Sequence, residues 1–308
     1  RLPAPALRAA LMVSTGRILL LVLLLLPGGW LSTRGQPVCA LDSEGQRLCL
    51  PQPAQRIVAL SPGHTELLYA AGAGERLVGV VSWSDFPEAA NQLPRVGNHA
   101  RLDLETILSL EPDLILAWPD GNAPEQLQQL QGFGLPVFRS RPMALADVPV
   151  AMQAFGELAG SDPIAQAAAA GFVAGLDALK TAYRDAEPVR VFYQVWEQPL
   201  MTVNGQHWIS EVLQLCGGVN VFADLPRLVP RLDIEAVLAA RPDMVLTGAS
   251  GQTPGGELAL WRPFTDLPAV RNGHLVTVDA SLLARPTPRL LAGARAVCEA
   301  LDAVRSRG

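Results

Sequence analysis

The sequence contains one unit twice, and this repeat limits the folds that the chain can adopt. Residues 102–117 read LDLETILSLEPDLILA, and residues 232–247 read LDIEAVLAARPDMVLT. In both copies an Asp is placed to cap a helix, a Glu follows in the first turn, and a Pro ends the helix. Each copy closes on an apolar run without alternation, which is typical of strands covered on both faces by helices. Two copies predict two similar lobes with a ligand site between them.

The patterns around the repeat predict an α/β protein with two Rossmann-like lobes and mainly parallel sheets. Strand and helix patterns alternate through residues 56–160 and again through residues 188–308, and these ranges are the expected N-terminal and C-terminal lobes. Between them, residues 161–187 carry apolar side chains at helical spacing. We expect one long backbone helix there, which would restrict opening of the lobes more than a flexible linker.

The first 36 residues have the composition of a secretory signal peptide. Residues 1–36 contain four arginines and no acid, and the apolar run Ile18–Leu26 precedes Pro27 and two glycines. The alternative is an uncleaved membrane anchor, although the run is short for a bilayer span. Removal of this segment makes the chain more acidic than its net charge of −5, which argues against nucleic acid or anionic lipid as a partner. Because of the predicted signal peptide, we expect a periplasmic protein.

Four cysteines remain after the predicted signal peptide, and an even number in an exported chain favours disulfides. Cys39 and Cys49 flank a turn-forming stretch, so they are expected to pair within an N-terminal hairpin at residues 37–55. That pairing leaves Cys216 for Cys298. A structural metal is the alternative, but no CxxC spacing accompanies these residues. Cys39 also lacks the preceding residues typical of a lipid-modified cysteine, so we do not expect a lipoprotein.

Three tryptophans follow predicted strands directly. Trp83 comes after the strand pattern of residues 77–81, Trp118 after the strand of the first repeat, and Trp196 after residues 189–195. In open α/β sheets, ligands bind beyond the carboxyl ends of the strands. Rigid aromatic walls suit a large, flat and partly apolar ligand. Burial in the core is the alternative for any one tryptophan, but their shared position favours a binding site.

Several segments together resemble the vitamin B12 periplasmic binding proteins of ABC importers, whose lobes are joined by a single helix. These segments are RIVALSPGHTELLYAAG, the two repeat units, VLQLCGGVNVF and RPTPRLLAGARAVCEAL, and the likeness runs from about Arg56 to Leu301. The resemblance implies that one corrinoid such as cobalamin binds in the cleft. It further implies a monomer without enzymatic activity or cofactor, which acts with the transmembrane permease subunits of an ABC transporter.

The same resemblance assigns ligand-binding residues. Trp83 stands where the family has an aromatic residue that packs on the corrin ring. A family segment along the ligand corresponds to Ser281, Leu282, Leu283, Ala284 and Arg285. The arginine of the family is kept in this segment and suits amide or phosphate acceptors. Ser281 replaces an acid and Leu282 an aromatic residue of the family, and the stretch 228–230 lacks an expected tryptophan.

Glu105 and Glu235 occupy the same position in the two repeat units. The resemblance implies that they dock on arginines of the permease, one glutamate from each lobe. Matched positions in two matched lobes would present this pair of carboxylates about a pseudo-twofold axis. The alternative is that each glutamate only complements the dipole of its helix.

His99 precedes the first repeat, where the family often has a tryptophan. An imidazole in the cleft would be suited to ligate the cobalt of a corrinoid with an open axial position, or the iron of haem. The alternative is a solvated loop histidine. The other histidines are spread too widely in the sequence to predict a metal site formed by the protein.

Two other functions compete with corrinoid binding. Iron-siderophore or haem binding uses the same architecture, and would place Arg, Tyr or His against the ligand in place of tryptophans. An exported hydrolase would need a nucleophile and a base, and Ser61 with His64 is the one adjacent pair worth testing. The sequence has no GxSxG motif, P-loop or dinucleotide fingerprint, so we do not expect an enzyme.

Overall fold

The computed structural model describes residues 36–249 and 256–306. The predicted signal peptide, except residue 36, lies outside the described residues. In chain order the strands are β1 (Val38–Leu41), β2 (Arg47–Leu50), β3 (Ile57–Ala59), β4 (Leu77–Val80), β5 (Leu114–Ala117), β6 (Val137–Arg139), β7 (Val189–Gln194), β8 (Trp196–Glu197), β9 (Leu200–Met201), β10 (Gly218–Asn220), β11 (Met244–Ala249) and β12 (Leu275–Asp279).

The α-helices are α1 (Pro62–Ala70), α2 (Leu104–Ser109), α3 (Pro124–Gly132), α4 (Asp147–Ala159), α5 (Asp162–Ala182), α6 (Trp208–Leu215), α7 (Ile234–Ala240), α8 (Pro268–Arg271), α9 (Ala280–Leu283) and α10 (Leu290–Arg305). Short 3₁₀ turns lie at Gly74–Arg76, Glu88–Gln92 and Ala259–Trp261. Among the described residues, no helix is both long enough and apolar enough to cross a bilayer.

Two four-stranded sheets organise the fold, and all their strands are parallel. The first sheet has the order β4-β3-β5-β6, and the second has the order β10-β7-β11-β12. Taken along the chain, both sheets follow the same order, with the strand of the repeat unit third in each. The predicted α/β class with two mainly parallel sheets is confirmed. We call the parts built on the two sheets the first lobe and the second lobe.

Each repeat unit folds in the same way at its helix start. The side chain of Asp103 accepts a hydrogen bond from the amide of Thr106 at 3.0 Å, and that of Asp233 accepts one from Ala236 at 2.8 Å. These bonds satisfy amide groups that have no partner inside the helix. The predicted N-caps are therefore confirmed.

The Pro-Asp pair of each repeat does more than end the helix. Asp113 accepts a hydrogen bond from the amide of Arg56 at 2.8 Å, and Asp243 accepts the equivalent bond from Arg190 at 3.1 Å. The guanidinium groups of these arginines donate to carbonyls at the ends of α2 and α7. Each repeat thus fixes the start of the central strand of its own sheet, β3 or β7.

Helix α5 connects the lobes as a strut. It follows α4 of the first lobe with one intervening turn and packs on α4. Its buried residues are Ala165, Ala169 and Phe172. At its far end, Tyr183 Oη donates a hydrogen bond to Asp302 of α10 at 2.9 Å. The long helix predicted between the lobes is thus present.

The lobes also meet directly at Glu66 of α1, whose side chain is buried. One carboxylate oxygen accepts a hydrogen bond from Arg285 Nη1 at 2.7 Å, and the other accepts one from Thr287 Oγ1 at 2.7 Å. Arg289 Nη1 lies 3.8 Å from the first oxygen. A carboxylate removed from water needs such partners, and here all of them come from the second lobe. The contact holds the two lobes in one relative orientation.

Both predicted disulfides are present. Cys39 and Cys49 face each other across β1 and β2, and Cys216 at the end of α6 is bonded to Cys298 of α10. The second bond closes a loop of 82 residues, which restricts the unfolded chain more than a short loop does.

Ser61 and His64 do not form a catalytic pair. Ser61 Oγ caps α1 by accepting from the amide of His64 at 3.1 Å, so its role is in the helix start. Both ring nitrogens of His64 lie near carbonyl oxygens, Nε2 at 3.0 Å from Ser140 O and Nδ1 at 3.4 Å from Leu116 O. This geometry leaves the serine without a base.

We predict that replacing Glu66 by Gln destabilises the protein by about 3 kcal/mol, because it leaves the Arg285 guanidinium without its buried charge partner. Chemical denaturation at neutral pH measures this. Asp85→Asn is the matched control, since Asp85 lies 3.3 Å from the same guanidinium but is 61% exposed. It should cost less than about 1 kcal/mol. Equal effects of the two changes would contradict the assigned role of Glu66.

We also predict that stability falls as the pH drops below 6.5. Burial lowers the pKa of His64 to about 4, so between pH 6.5 and 4 the unfolded chain binds a proton that the folded chain rejects. This stability is complete above pH 6.5 and is lost as the pH approaches 4. In His64→Gln the decrease in unfolding free energy between pH 7.5 and 4.5 should be about 2.5 kcal/mol smaller than in the wild type. An unchanged decrease would refute the assignment.

Candidate ligand-binding cleft

The carboxyl ends of the strands lie along one edge of each sheet, which we call the carboxyl edge. In the first lobe, Ser61, Trp83 and Trp118 follow β3, β4 and β5 at this edge, and in the second lobe Trp196 follows β7. Arg285, which follows α9, reaches across to Glu66 and to the carbonyl of Trp83. The two carboxyl edges therefore face each other across a cleft, where open α/β folds bind ligands.

Trp83 is held by its backbone while its indole stays in solvent. Its φ of 67° is in the left-handed region, which is unfavourable for a bulky side chain, and its exposed fraction is 76%. Its carbonyl accepts from Arg285 Nη2 at 3.0 Å, and the next residue, Ser84, is buried and bonded to Thr65 and Arg95. Neighbouring contacts thus maintain a strained backbone that presents an aromatic ring to the cleft.

His99 and Trp118 lie side by side, with ring centroids 5.9 Å apart. Buried Asn122 organises them. Its Nδ2 donates to the carbonyls of His99 at 2.9 Å and Leu60 at 3.0 Å, and its Oδ1 accepts from the amide of Trp118 at 2.7 Å. Because Leu60 follows β3 and Trp118 follows β5, these bonds fix His99 above the centre of the first carboxyl edge.

In the second lobe, Trp196 is 62% exposed and borders a cavity of about 590 Å³. The cavity also contacts Thr247 and Ala280, so it joins the ends of β7, β11 and β12. Its acidic residues are Glu197 and Glu257, and no Lys, Arg or His belongs to its described lining. Neither carboxylate oxygen of Glu257 has a hydrogen-bond partner within the described part of the chain, although both are buried. The cavity therefore favours ligand groups that donate hydrogen bonds.

The segment Ser281–Arg285 begins in a short helix. Ser281, Leu282 and Leu283 belong to helix α9, which Asp279 caps by accepting from the amide of Ser281 at 2.8 Å. Leu283 is fully buried in the core, so its side chain does not line the cleft. Helical geometry turns one side of this short segment inward, and Ala284 stays exposed while Leu282 is half-buried.

The Arg285 guanidinium is already engaged within the protein. It contacts Glu66, Asp85 and the carbonyl of Trp83. All of these observed contacts are to the other lobe. The contact between Arg285 and Glu66 could not be predicted from the sequence, because the two residues are 219 positions apart.

Glu105 and Glu235 are exposed in the first turns of α2 and α7. Neither side chain forms a hydrogen bond or an ion pair with any residue that the structure describes. Both helices begin near the carboxyl edge of their lobe, since Asp103 bonds to the loop after β4 and Leu232 bonds to β9. Two unpaired carboxylates therefore lie on the cleft side of the molecule.

Sequence reasoning missed three residues here. These residues are Asn122, Glu257 and Glu66. Glu66 carried no local signal, because its partners Arg285 and Thr287 lie 219 and 221 residues away.

The pKa values of all three tyrosines are raised above the ordinary value. Burial raises the pKa of Tyr193 to about 12, so this residue stays a neutral phenol at the end of β7. The other two tyrosines, Tyr69 and Tyr183, also have raised pKa values, the first through burial and the second through its hydrogen bond to Asp302. Among the described residues, no group of three or more His, Cys, Asp or Glu is placed to hold a metal ion.

Comparisons with known proteins agree with this geometry. A family model described as "Periplasmic binding protein" matches residues 57–282. The vitamin B12-binding protein of Vibrio parahaemolyticus is 38% identical over 256 residues, which are 83% of this chain and 92% of that protein. The crystal structure of the periplasmic vitamin B12 binding protein BtuF of Vibrio cholerae has a TM-score of 0.75 and 39% identity, and the match covers 82% of this chain and 98% of BtuF.

A haem-binding protein is similar at a lower level. The periplasmic heme-binding protein RhuT of Roseiflexus sp. RS-1 has a TM-score of 0.70 and 27% identity, with 80% of this chain and 99% of RhuT covered. The matched parallel sheets, the interlobe cleft and the family match over most of the described residues lead to one conclusion. This chain belongs to the periplasmic binding proteins.

Proposed function

We propose that this protein captures cobalamin or a related corrinoid in the cleft between its lobes and delivers it to the permease of an ABC transporter. We further propose that it does so in the periplasm, after export by its N-terminal segment. Two disulfides in the described chain are in keeping with an oxidising compartment.

The observation that carries the proposal is Trp83. Exposing an indole and holding it at a positive φ both cost free energy, and a binding surface accounts for both. Trp118 and Trp196 provide further aromatic surface on the two carboxyl edges. A corrin ring is large and flat, and its periphery carries primary amides, so it combines ring contacts with hydrogen-bond donors.

The acidic cavity beside Trp196 favours a corrinoid over haem or an iron-siderophore, which is the second candidate. Haem carries two carboxylates, and many ferric siderophores are anionic, so Glu197 and Glu257 would repel them. The amide donors of a corrinoid suit the unpartnered oxygens of Glu257. The names of the more similar relatives, which are vitamin B12-binding proteins, support the same ligand.

Glu105 and Glu235 are the proposed contacts to the permease. Their exposure, their lack of partners in the described structure and their matched positions in two lobes favour an interface with two equivalent basic sites. The competing explanation is that each glutamate only complements the dipole of its helix. That explanation does not require the side chains of both glutamates to lack a partner.

We predict that Trp83→Ala weakens the binding of cyanocobalamin about 10- to 100-fold, because it removes an aromatic contact worth about 1–3 kcal/mol. Isothermal titration calorimetry with the mature chain measures this, and the wild type should bind one equivalent. Phe133→Ala is the matched control, since Phe133 is also an exposed aromatic (59%) but lies at the end of α3, away from the carboxyl edge. It should bind like the wild type.

A corresponding titration with hemin and a ferric siderophore separates the two candidates. If the protein binds hemin but does not bind cyanocobalamin, aquocobalamin or cobinamide, haem replaces the corrinoid as the proposed ligand.

We also predict that the double variant Glu105→Gln/Glu235→Gln binds cyanocobalamin normally but loses at least about 10-fold in corrinoid uptake by cells that express the permease, because rim charges guide and hold the docked complex. Glu125→Gln is the control, since Glu125 is an exposed glutamate in the first turn of α3 without a repeat partner. If the double variant and the control support uptake equally, Glu105 and Glu235 do not take part in docking and only complement the dipoles of their helices.

A further inference from the structure

The loop that carries His99 is rigid. Gly97 has a φ of 95°, and a Cβ atom there would approach the carbonyl oxygen of Arg101 to 2.4 Å, so only glycine fits. Asn98 closes the turn through its amide to that carbonyl at 2.9 Å, and its side chain accepts from the amides of Ala100 and Arg101. The carbonyl of Gly97 accepts from Ser82 at the end of β4. The loop is therefore tied to the first carboxyl edge.

Asn122 adds a second attachment. The bond from its Nδ2 to the His99 carbonyl, together with its bonds to Leu60 and Trp118, connects this one residue to the ends of β3 and β5. The backbone of His99 is thus fixed in position while its side chain remains exposed beside the ring of Trp118.

The His99 imidazole differs from the others in having no protein partner for its ring nitrogens within the described residues. His64 contacts two carbonyls, His207 Nδ1 accepts from the amide of Ile209 at 3.2 Å, and His274 Nδ1 lies 3.0 Å from the carbonyl of Asp243. A fixed backbone, an exposed ring and free nitrogens are what a metal ligand in a binding cleft requires.

We propose that His99 ligates the metal of the bound corrinoid through a ring nitrogen, so that the protein prefers corrinoids with an exchangeable axial position. This inference rests on the proposed function. In the step, the lone pair of a neutral imidazole forms a Co–N bond, a cobalt-bound water leaves, and cobalt keeps its oxidation state. Imidazole is a suitable ligand for first-row transition metals of this kind. Cobinamide, which lacks the lower base, is the ligand class that this arrangement favours.

The test compares diaquocobinamide with dicyanocobinamide at pH 8, by absorption spectroscopy and calorimetry. In the wild type we expect the visible bands of diaquocobinamide to shift on binding, and its Kd to be at least about 10-fold below that of dicyanocobinamide, in which cyanide fills both axial positions. His99→Phe keeps an aromatic ring beside Trp118 but has no donor nitrogen. It should lose both the band shift and the preference.

The outcomes are distinguishable. If the wild type binds corrinoids but shows no band shift, or if His99→Phe keeps the shift and the preference, ligation by His99 is refuted and the proposed function stands. If the wild type binds none of the three corrinoids, the proposed function fails and this inference fails with it. His99→Gln provides a second variant in case the Phe variant folds poorly, and it should likewise lose the shift.

Discussion

The arrangement of the cleft depends on one buried carboxylate. Glu66 comes from the first helix of the first lobe, and its hydrogen-bond partners Arg285 and Thr287 come from the second lobe. An isolated carboxylate in this position would be costly to bury, so the interaction is favourable only when the lobes are together. The same arginine also holds the carbonyl of Trp83. The relative position of the lobes and the position of an exposed aromatic ring are therefore set by one group of contacts.

The strut α5 and the Glu66 contact constrain the same motion from different places. The helix joins the outer parts of the lobes through α4 and α10, and the carboxylate joins them at the cleft. A cleft held in this way is formed before the ligand arrives, so binding loses less free energy to ordering of the protein. Rigid loops around His99 and Trp83 have the same consequence at the level of single side chains.

The two lobes share a plan but differ in what they offer a ligand. The first carboxyl edge carries Trp83, His99 and Trp118 on loops tied to the strand ends, whereas the second carries Trp196 beside an acidic cavity. Symmetry is kept in the repeat, where Asp113 and Asp243 fix the starts of β3 and β7. The two lobes have the same arrangement of strands but different loops at their carboxyl edges. Two matched lobes can therefore bind an asymmetric molecule.

The sequence by itself determined the features that depend on neighbours along the chain. Helix caps at Asp103 and Asp233, buried strands after each Pro-Asp pair, the hairpin disulfide and the strut all follow from short-range patterns, and these were predicted. The pair Cys216–Cys298 was also predicted, because only two cysteines remained. Only the tertiary structure decided the burial of Leu283 in α9, the engagement of Arg285 with Glu66, and the fixing of His99 by Asn122. These depend on groups that are distant in the chain and meet once both sheets have formed, so no local pattern of residues encodes them.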